Sequence, residues 1–368
     1  MMDRRTFVRT TALAGMSATA SRLRLAWEAD ASLKAKAAAK GILYGSSSYG
    51  PWLFADNALQ QVFVRECAIT TPEAELKWGT LRPGPTRYNF EPGDALLQFC
   101  QSHGIQMRGH TLAFWESIPG WFKSYATPAN ARQMLTEHIQ TVCGHYAGKL
   151  QSWDVCNEII NPDDHNPDGL KNSPWLTLIG PDYIPLAFHT AREADPHALL
   201  VYNDFGIEYN FPGIDKRRDA MLNLIHRLLS QQVPLQAFGL QAHLYAKALK
   251  LMNTDAITSF LKSVSDMGLK ILITELDSDD RGLPADSAAR DQAVAESYTT
   301  FLGAALRNPN VIVVQTWGLS DKYTWQKKHA PRDDGLDVRV LPFDQDFNAK
   351  PIYQALAQAF DAAPQRTA

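Results

Sequence analysis

Two glutamates stand at the ends of short apolar runs that have the composition of buried strands. Residues 152–158 read Ser-Trp-Asp-Val-Cys-Asn-Glu, and residues 273–277 read Ile-Thr-Glu-Leu-Asp. Such runs suit strands that are covered on both faces, as those of a parallel sheet are. An ionised carboxylate is costly to bury unless it is paired, so Glu158 has no packing reason to be there. The alternative is that Glu158 leaves the sheet and meets solvent, and this run alone does not decide between the two.

Other apolar runs in the chain also end in groups that could bind or react. Their side chains carry a carboxyl group, an ammonium group, three amides, two imidazoles, a phenol and two indoles. Beside Glu158 and Glu275, the candidates are Glu73, Lys77, His110, Asn157, Tyr202, Asn203, Gln241, His243, Trp317 and Trp325. A surface or capping role would explain any one of them. Seven strand ends of this kind are hard to attribute to chance, so together they predict a site.

The elements that would position these residues alternate along the chain. Strands are predicted at residues 41–46, 67–71, 105–110, 152–158, 198–203, 237–243, 270–274 and 311–317, and each is followed by a predicted helix. Apolar strands with helical crossovers predict a parallel sheet, and eight units predict closure into an α/β fold of the (β/α)8 or TIM barrel type. No linker or repeat divides the chain, so residues 31–362 are predicted to form a single domain, with its site at the carboxyl ends of the strands.

Composition excludes several classes of function. The 368 residues are 45% hydrophobic and 20% charged with a net charge of −3, and no Lys/Arg-rich run predicts a nucleic-acid or membrane-surface partner. The four cysteines have no CxxC spacing and no neighbouring histidine pair, which argues against zinc. We therefore expect buried free thiols at Cys67, Cys100, Cys143 and Cys156, although one or two disulfides are possible in an exported protein.

The N-terminus has the features of an export signal. Arg4 and Arg5 precede a weakly apolar stretch and then Ala18-Thr19-Ala20, a small-x-small cleavage pattern. Paired arginines of this kind predict a twin-arginine signal over residues 1–20, with an unstructured segment to about residue 30 and a destination in the periplasm or beyond. The alternative is an ordinary basic N-terminus. No stretch of about 18 apolar residues predicts a membrane span.

Elimination narrows the chemistry that the strand-end residues support. The histidines are too dispersed for a metal site, no Gly-rich loop after the last two strands predicts a phosphate site, and no G-x-S-x-G elbow predicts acyl transfer. No cofactor or metal is therefore expected. Two glutamates across a cleft with amides, histidines and tryptophans nearby are what glycoside cleavage requires.

At these motifs the sequence resembles the xylanases of glycoside hydrolase family 10, from about residue 40 to residue 360. The motifs that carry the resemblance are Thr71-Pro72-Glu73 with Lys77-Trp78, Arg108-Gly109-His110-Thr111-Leu112, Trp153-Asp154-Val155 with Asn157-Glu158, Tyr202-Asn203-Asp204, Gln241 with His243, Ile273-Thr274-Glu275-Leu276-Asp277, and Trp317-Gly318 with Trp325. Any one motif is weak. Their order at the ends of matching strands is specific.

The resemblance implies a retaining endo-1,4-β-xylanase, a monomer that acts on xylan or xylo-oligosaccharides, with Glu158 as acid/base and Glu275 as nucleophile. A less polar setting and the charge of Glu275 should raise the pKa of Glu158. Further roles follow from position: a glycone-side set at Glu73, Lys77, His110 and Gln241, an apolar platform at Trp317 and Trp325, leaving-group contacts at Tyr202 and Asn203, and donors to Glu275 or the sugar 2-hydroxyl at His243 and Asn157. Asp277 is expected to act as a structural residue.

The sequence departs from the family pattern at three positions. Ala74 stands where an asparagine is usual, and Phe114 and Trp115 stand where a Trp-His pair is usual. These changes leave open a retaining β-glycosidase of shifted specificity, for decorated xylo-oligosaccharides, aryl xylosides or another β-1,4-glycan. A catalytically silent sugar-binding barrel is a third hypothesis, which the presence of both glutamates disfavours. The helical histidines His103, His138 and His189 are expected at the surface.

Overall fold

The computed structural model of the protein describes residues 32–366. The predicted signal sequence at residues 1–20 and the segment that follows it to about residue 30 lie outside the described residues. The strands are β1 (Leu43–Ser48), β2 (Ile69–Pro72), β3 (Gln106–Ala113), β4 (Ser152–Asn157), β5 (Leu199–Asp204), β6 (Ala237–Leu240), β7 (His243–Tyr245), β8 (Lys270–Asp279) and β9 (Val311–Thr316).

All strand pairs are parallel, and eight strands close into a ring. From β1 to β6 each strand pairs with the next, β6 pairs with β8, and β9 pairs with both β8 and β1. The short strand β7 lies outside this ring, against the second half of β8. Helices connect consecutive strands of the ring, so the predicted (β/α)8 barrel and single domain are confirmed.

The helices cover the outside of the barrel. They are α1 (Leu33–Ala38), α2 (Gly50–Ala55), α3 (Asn57–Glu66), α4 (Trp78–Leu81), α5 (Glu91–Ser102), α6 (Phe122–Tyr125), α7 (Ala131–Tyr146), α8 (Pro174–Ile179), α9 (Tyr183–Ala194), α10 (Ile214–Ser230), α11 (Thr254–Asp266), α12 (Ser287–Ala305), α13 (Gln326–His329) and α14 (Pro351–Ala362). Short 3-10 turns occur at Pro162–Asp164, Pro167–Gly169, Ala246–Leu251 and Asp321–Tyr323. Across residues 32–366, no helix is long and apolar enough to cross a membrane.

Side-chain caps define where several helices begin. The carboxylate of Asp286 accepts a hydrogen bond from the Ala289 amide at the start of α12, and Asp56 does the same for Ala58 at the start of α3. The long helix α7 begins at Ala131 without such a cap, because the side chain of Asn130 before it makes no capping hydrogen bond.

The interior of the barrel is layered because successive residues of a strand point to opposite faces. The lowest layer is apolar and comes from five strands: Ile69, Val201, Ala237, Leu272 and Val313. Two residues further along their strands, the side chains are polar: Thr71, Asn203, Thr274 and Gln315, joined by Arg108 and Asp154. Two residues further again along their strands, the side chains at the mouth of the barrel are Glu73, His110 and Trp317. The period of the strands thus carries candidate site residues to one end of the barrel.

The sixth predicted strand is interrupted. Residues 237–243 were expected to be continuous, but β6 ends at Leu240 and β7 begins at His243. Ala242 between them has a φ of 61°, a left-handed conformation that breaks strand geometry. The break separates Gln241 from His243, and each then contacts a different glutamate.

The four cysteines and one of the three helical histidines are buried. In the part of the chain that the structure describes, all four cysteines are buried and free, as predicted. His103 and His189 are exposed as expected, but the prediction for His138 is wrong. Its ring is 0% exposed and stacks on Trp78 at a centroid distance of 3.6 Å, and neither ring nitrogen has a hydrogen-bond partner. Helical position alone did not distinguish the inner from the outer face.

Burial of His138 makes the stability of the fold sensitive to acid. Burial, and then the charge of Arg82, hold the pKa of His138 well below its usual 6.5. Below pH 6.5 the unfolded chain therefore binds a proton at this position that the native state does not bind. The free energy of unfolding of the wild type should therefore fall by about 1.4 kcal/mol for each pH unit below 6.5. We predict that His138→Phe, which keeps a ring against Trp78, does not show this fall.

Urea denaturation of both proteins at pH 8, 6 and 5 measures this difference. The matched control is His189→Phe on α9, where the histidine is exposed and no change in pH dependence is expected. Parallel stability profiles for the wild type and His138→Phe would contradict the prediction, whatever the offset between them.

Candidate active site

Glu158 follows β4 directly and adopts a strained backbone conformation. Its φ is 54°, a region in which a side chain with a Cβ costs about 1–2 kcal/mol. The Glu158 amide donates to the Asn203 carbonyl at 2.9 Å. The Ile159 and Ile160 amides both donate to Asp204 Oδ2, at 3.1 and 3.2 Å. Backbone bonds to the end of β5 therefore hold the turn that presents Glu158.

Two side chains donate hydrogen bonds to Asp204, and one of them is the hydroxyl of Tyr202. Arg217 Nη2 donates to Asp204 Oδ1 at 2.7 Å, and the Tyr202 hydroxyl donates to Oδ2 at 2.6 Å. Tyr202 is 0% exposed and its ring packs against Phe238. The predicted leaving-group contact of Tyr202 is therefore not supported, because its side chain points into the layer between strands and helices and has no surface for a sugar.

Three neutral donors surround the carboxyl group of Glu158. Trp115 Nε1 donates to Oε2 at 2.9 Å, while Gln241 Nε2 and Asn157 Nδ2 approach Oε1 at 3.2 and 3.4 Å. Burial raises the pKa of Glu158, the bonds from Trp115 and Gln241 oppose that rise, and the negative charge of Glu275 adds to it. The net effect is a pKa above the usual value for glutamate, which favours the protonated acid.

Glu275 on β8 has surroundings that favour its ionised form. It is 5% exposed, and its Oε1 accepts a hydrogen bond from Asn203 Nδ2 at 2.8 Å while His243 Nε2 lies 3.3 Å from Oε2. Burial pushes its pKa upward, but the bond from His243 and the electrostatic contributions of neighbours including Lys77 outweigh burial and bring the pKa to about 2. Glu275 is therefore an ionised carboxylate at neutral pH.

His243 is held in its charged form by a second carboxylate. Its Nδ1 lies 2.8 Å from Asp277 Oδ1, and Trp325 Nε1 donates to Asp277 Oδ2 at 2.8 Å. Burial lowers the pKa of His243, but the charge and hydrogen bond of Asp277, with those of Glu275, raise it well above 6.5. The imidazolium donates from both nitrogens, which fixes its ring beside Glu275. Asp277 thus has the structural role expected of it.

Two amides connect the glutamates through the barrel interior. Asn203 Nδ2 also donates to Asn157 Oδ1 at 2.8 Å, and Asn203 Oδ1 accepts from Thr274 Oγ1 at 2.8 Å. A Cβ at Gly239 would lie 2.2 Å from Asn203 Oδ1, so only glycine leaves room for this side chain. Asn203 is fully buried and its amide is engaged on both sides. The structure therefore supports a positioning role for Asn203 rather than the predicted contact with the leaving group.

His110 is oriented by an ion pair in the polar layer of the barrel. Its Nδ1 lies 2.9 Å from Asp154 Oδ2, and Asp154 Oδ1 pairs with Arg108. The His110 ring also lies against Trp317, at a centroid distance of 5.6 Å and an interplanar angle of 68°. Nδ1 facing a carboxylate assigns the proton to that nitrogen and leaves Nε2 directed toward the mouth.

Glu73 and Lys77 lie on the same side of the mouth, after β2. Glu73 Oε1 accepts a hydrogen bond from Ser47 Oγ at 2.7 Å. Burial raises the pKa of Glu73 to about 7, against the opposing effects of Ser47 and Lys77. Lys77 Nζ lies 5.9 Å from the centre of the Trp317 ring. A group that is close to half protonated at neutral pH can donate or accept a hydrogen bond to a hydroxyl.

The structure brings most of the predicted site residues together around the two glutamates and places Tyr202 outside the group. Sequence reasoning missed the roles of Trp115, Asp154 and Asp204. Asp154 and Asp204 carried a usable signal, since each is a carboxylate within or at the end of an apolar strand. Trp115 stood out only as a departure from the family pattern, because its indole reaches Glu158 only through the path of the loop after β3. Within residues 32–366, no three or more His, Cys, Asp and Glu side chains are grouped so that they could hold a metal ion.

Comparison with known proteins places this geometry in a family. Residues 32–359 match Glycosyl hydrolase family 10. Endo-1,4-beta-xylanase B from Thermotoga neapolitana is 33% identical over 304 residues, which are 82% of this chain and 83% of that protein. Exoglucanase XynX from Acetivibrio thermocellus is 33% identical over 318 residues, 83% of this chain and only 27% of that protein.

A solved structure is similar to this chain over nearly its whole length. Xylanase 10B from Thermotoga petrophila RKU-1, in complex with xylobiose, is 31% identical with a TM-score of 0.81, and the match covers 90% of this chain and 97% of that one. The family expected from the strand-end motifs is therefore confirmed. This chain belongs to glycosyl hydrolase family 10.

Proposed function

We propose that the protein is a retaining endo-1,4-β-xylanase in which Glu158 is the acid/base and Glu275 the nucleophile. The observation that carries the proposal is the opposite setting of two glutamates at the mouth of one barrel. Glu158 is surrounded by neutral donors and has a raised pKa, whereas Glu275 contacts a charged imidazolium and has a pKa of about 2. A pair of carboxyl groups held in different protonation states is the arrangement that retaining glycosidases need.

In the first step the Glu275 carboxylate attacks the anomeric carbon while Glu158 gives its proton to the leaving oxygen. The glycosidic bond breaks, the leaving sugar departs with a hydroxyl group, and an ester forms between Glu275 and the glycone. Formation of this ester removes the negative charge that raises the pKa of Glu158. Glu158 is therefore a stronger acid at the end of the step than at its start, which favours transfer of the proton.

In the second step Glu158, now a carboxylate, takes a proton from a water molecule that attacks the same carbon from the opposite face. The ester bond breaks, Glu275 is released as a carboxylate, and two inversions leave the anomeric configuration retained. Trp115 and Gln241 donate to the carboxylate form of Glu158 in this step. His243 and Asn203 receive the charge that returns to Glu275.

Glycone recognition is proposed for the polar and indole groups after β2, β3 and β9. Glu73, Lys77 and the Nε2 edge of His110 supply hydrogen-bonding groups to sugar hydroxyls, and Trp317 supplies an apolar face. Trp325, which is fixed by Asp277, extends that face. Xylan is the substrate proposed because the relatives include an enzyme named as an endo-1,4-β-xylanase and one solved with xylobiose.

A second candidate is a retaining glycosidase of the same family that prefers another β-1,4-glycan. Ala74 offers no amide to a sugar hydroxyl, and a relative named as an exoglucanase is also 33% identical. Trp115 keeps an indole donor on Glu158 despite the changed sequence of the loop, which supports the cleavage step of either candidate. Both glutamates retain their hydrogen-bond partners, which argues against a silent sugar-binding barrel.

The test of function is reducing-end release from xylan, glucuronoxylan, carboxymethylcellulose and mannan, with aryl β-xylobioside and aryl β-cellobioside alongside. We expect release from xylan and from the aryl xylobioside, with the β-anomer as the first product by NMR. Release from cellulose alone would favour the second candidate. Inactivity on every glycan would contradict both.

The roles of the glutamates are separable by the acidity of the leaving group. We predict that Glu275→Ala abolishes turnover of every substrate. Glu158→Ala should lose about 10²–10⁴-fold on xylan but far less in the first step on an aryl xylobioside, whose leaving group needs little protonation. Azide, which needs no general base, should restore turnover of Glu158→Ala on the aryl substrate.

Glu296→Ala on the outer face of α12 is the matched control and should leave activity unchanged. Equal losses of Glu158→Ala on both kinds of substrate would overturn the acid/base assignment, as would the absence of an azide effect.

The indole of Trp115 should set the alkaline limb of activity. Because Trp115 Nε1 donates to Glu158 and lowers its pKa, removal of the donor raises that pKa further. We predict that Trp115→Phe moves the alkaline limb of kcat/KM to higher pH, since Glu158 then keeps its proton longer. Trp121→Phe in the same loop loses an indole bond to the Arg82 carbonyl and should leave the limb in place. Coincident profiles for all three proteins would contradict this role.

A further inference from the structure

The indole of Trp115 has a cation over its face. Lys171 Nζ lies 4.0 Å from the centre of the Trp115 ring. The Nε1 of the same indole donates to Glu158 Oε2 at 2.9 Å. A cation within about 6 Å of an aromatic face is attracted by the negative charge of that face. The indole therefore contacts an ammonium group through its face and the carboxyl group of Glu158 through its edge.

Backbone hydrogen bonds place Lys171 beside the turn that presents Glu158. The loop after β4 folds back onto the residues that follow Glu158, and Leu170 forms an antiparallel bridge with Ile160. The Lys171 amide donates to the Ile159 carbonyl at 2.8 Å. Lys171 is thus attached to the segment that carries Glu158, so the position of its cation does not depend on a distant element of the fold.

The charge of Lys171 is not neutralised by a carboxylate. Within residues 32–366 no carboxylate forms an ion pair with Lys171, and no oxygen accepts a hydrogen bond from its ammonium group. Lys322 shows the contrasting case, since its Nζ lies 5.3 Å from the centre of the Tyr323 ring but donates to Asp56 at 2.7 Å. Lys171 and Trp115 are both partly buried, and a cation–π contact strengthens as the pair loses solvent.

The charged groups that face Glu158 directly are negative. The carboxylates of Glu275 on β8 and Asp204 at the end of β5 both raise the pKa of Glu158, and burial raises it further. Gln241 and Asn157, which also approach its carboxyl group, are neutral amides. A group that stabilises the ionised form of Glu158 therefore opposes burial and two neighbouring carboxylates.

A cation over an indole makes the ring a stronger hydrogen-bond donor. The ammonium group draws electron density from the ring, which leaves the N–H more positive, and groups in a chain of contacts polarise one another in this way. A hydrogen bond to an ionised acceptor is roughly twice as strong as one to a neutral acceptor. A stronger donor at Trp115 therefore stabilises the carboxylate of Glu158 more than its protonated form.

We propose that Lys171 is a positioning residue whose cation holds the Trp115 indole against Glu158 and strengthens the hydrogen bond between them. The carboxylate form of Glu158, which exists between the two steps of the reaction, is thereby stabilised. This inference rests on the proposed acid/base role of Glu158 and adds to it the residue that controls one of its donors. Trp115 stands where a histidine is usual in the family, so the pair of Lys171 and Trp115 is a feature of this chain.

The test is the alkaline limb of kcat/KM on xylohexaose for Lys171→Met, which removes the charge and keeps an unbranched side chain. Loss of the cation weakens the indole hydrogen bond, so Glu158 keeps its proton to a higher pH. We expect the limb to move upward by about half a pH unit, the shift that corresponds to a cation–π contact of ordinary strength. Lys171→Arg keeps a cation that stacks on aromatic faces and should retain the limb of the wild type.

The variant Trp115→Phe separates an effect through the indole from direct attraction between the two charges. It keeps a ring beneath the cation but has no N–H to donate to Glu158. In this background Lys171→Met should therefore leave the alkaline limb in place. A shift of the same size in both backgrounds would overturn the inference, because the ammonium group would then act on the carboxylate without the indole.

Lys123→Met is the matched control, because it removes one exposed positive charge from α6 in the loop after β3. It should leave the limb of the wild type in place. An unchanged limb for Lys171→Met, or a limb for Lys171→Arg that moves as far as that of Lys171→Met, would overturn the inference and leave the proposed function standing. A wild type that does not cleave xylohexaose would overturn the proposed function and this inference with it.

Discussion

A carboxylate that is ionised inside a poorly solvated barrel mouth is the constraint on which the site depends. Burial alone would protonate Glu275, and the hydrogen bond from His243 with the surrounding electrostatic contributions reverses that effect. His243 can supply a charge there only because Asp277 stabilises its imidazolium, and Trp325 in turn fixes Asp277. Glu275 is thus kept ionised by His243, and His243 is kept charged by Asp277.

Two residues at the end of β5 connect the surroundings of Glu158 with those of Glu275. Asn203 donates to both Glu275 and Asn157, while Asp204, the next residue, holds the amides that follow Glu158. One strand end, that of β5, therefore sets the position of both glutamates. Because these bonds tie both Glu275 on β8 and the turn that carries Glu158 to the end of β5, the barrel sets the spacing of the reacting groups. The loops are then free to vary in what they bind.

Much of this arrangement could be predicted from particular residues. Glu158, Glu275, Glu73 and His110 stood out because polar side chains at the end of apolar strands have no packing reason to be there, and the alternation of strand and helix predicted one common mouth for them. Tyr202 and His138 were misplaced for the opposite reason. A strand or helix pattern gives the period of a side chain but not which of two faces a long polar ring will occupy, and both rings are buried against neighbours that are distant in sequence.

By itself, the sequence determined the fold class, the family and the pair of glutamates, because each of these depends on local periodicity and on residue types at strand ends. The resemblance to the family also implied which glutamate keeps its proton, but only the tertiary structure supplied the groups that cause the difference. Protonation depends on burial and on groups brought from other strands and loops: Trp115 and Gln241 for Glu158, and His243 and Asn203 for Glu275. Those contacts join residues tens to more than eighty positions apart, and electrostatic interactions act through space and not along the chain.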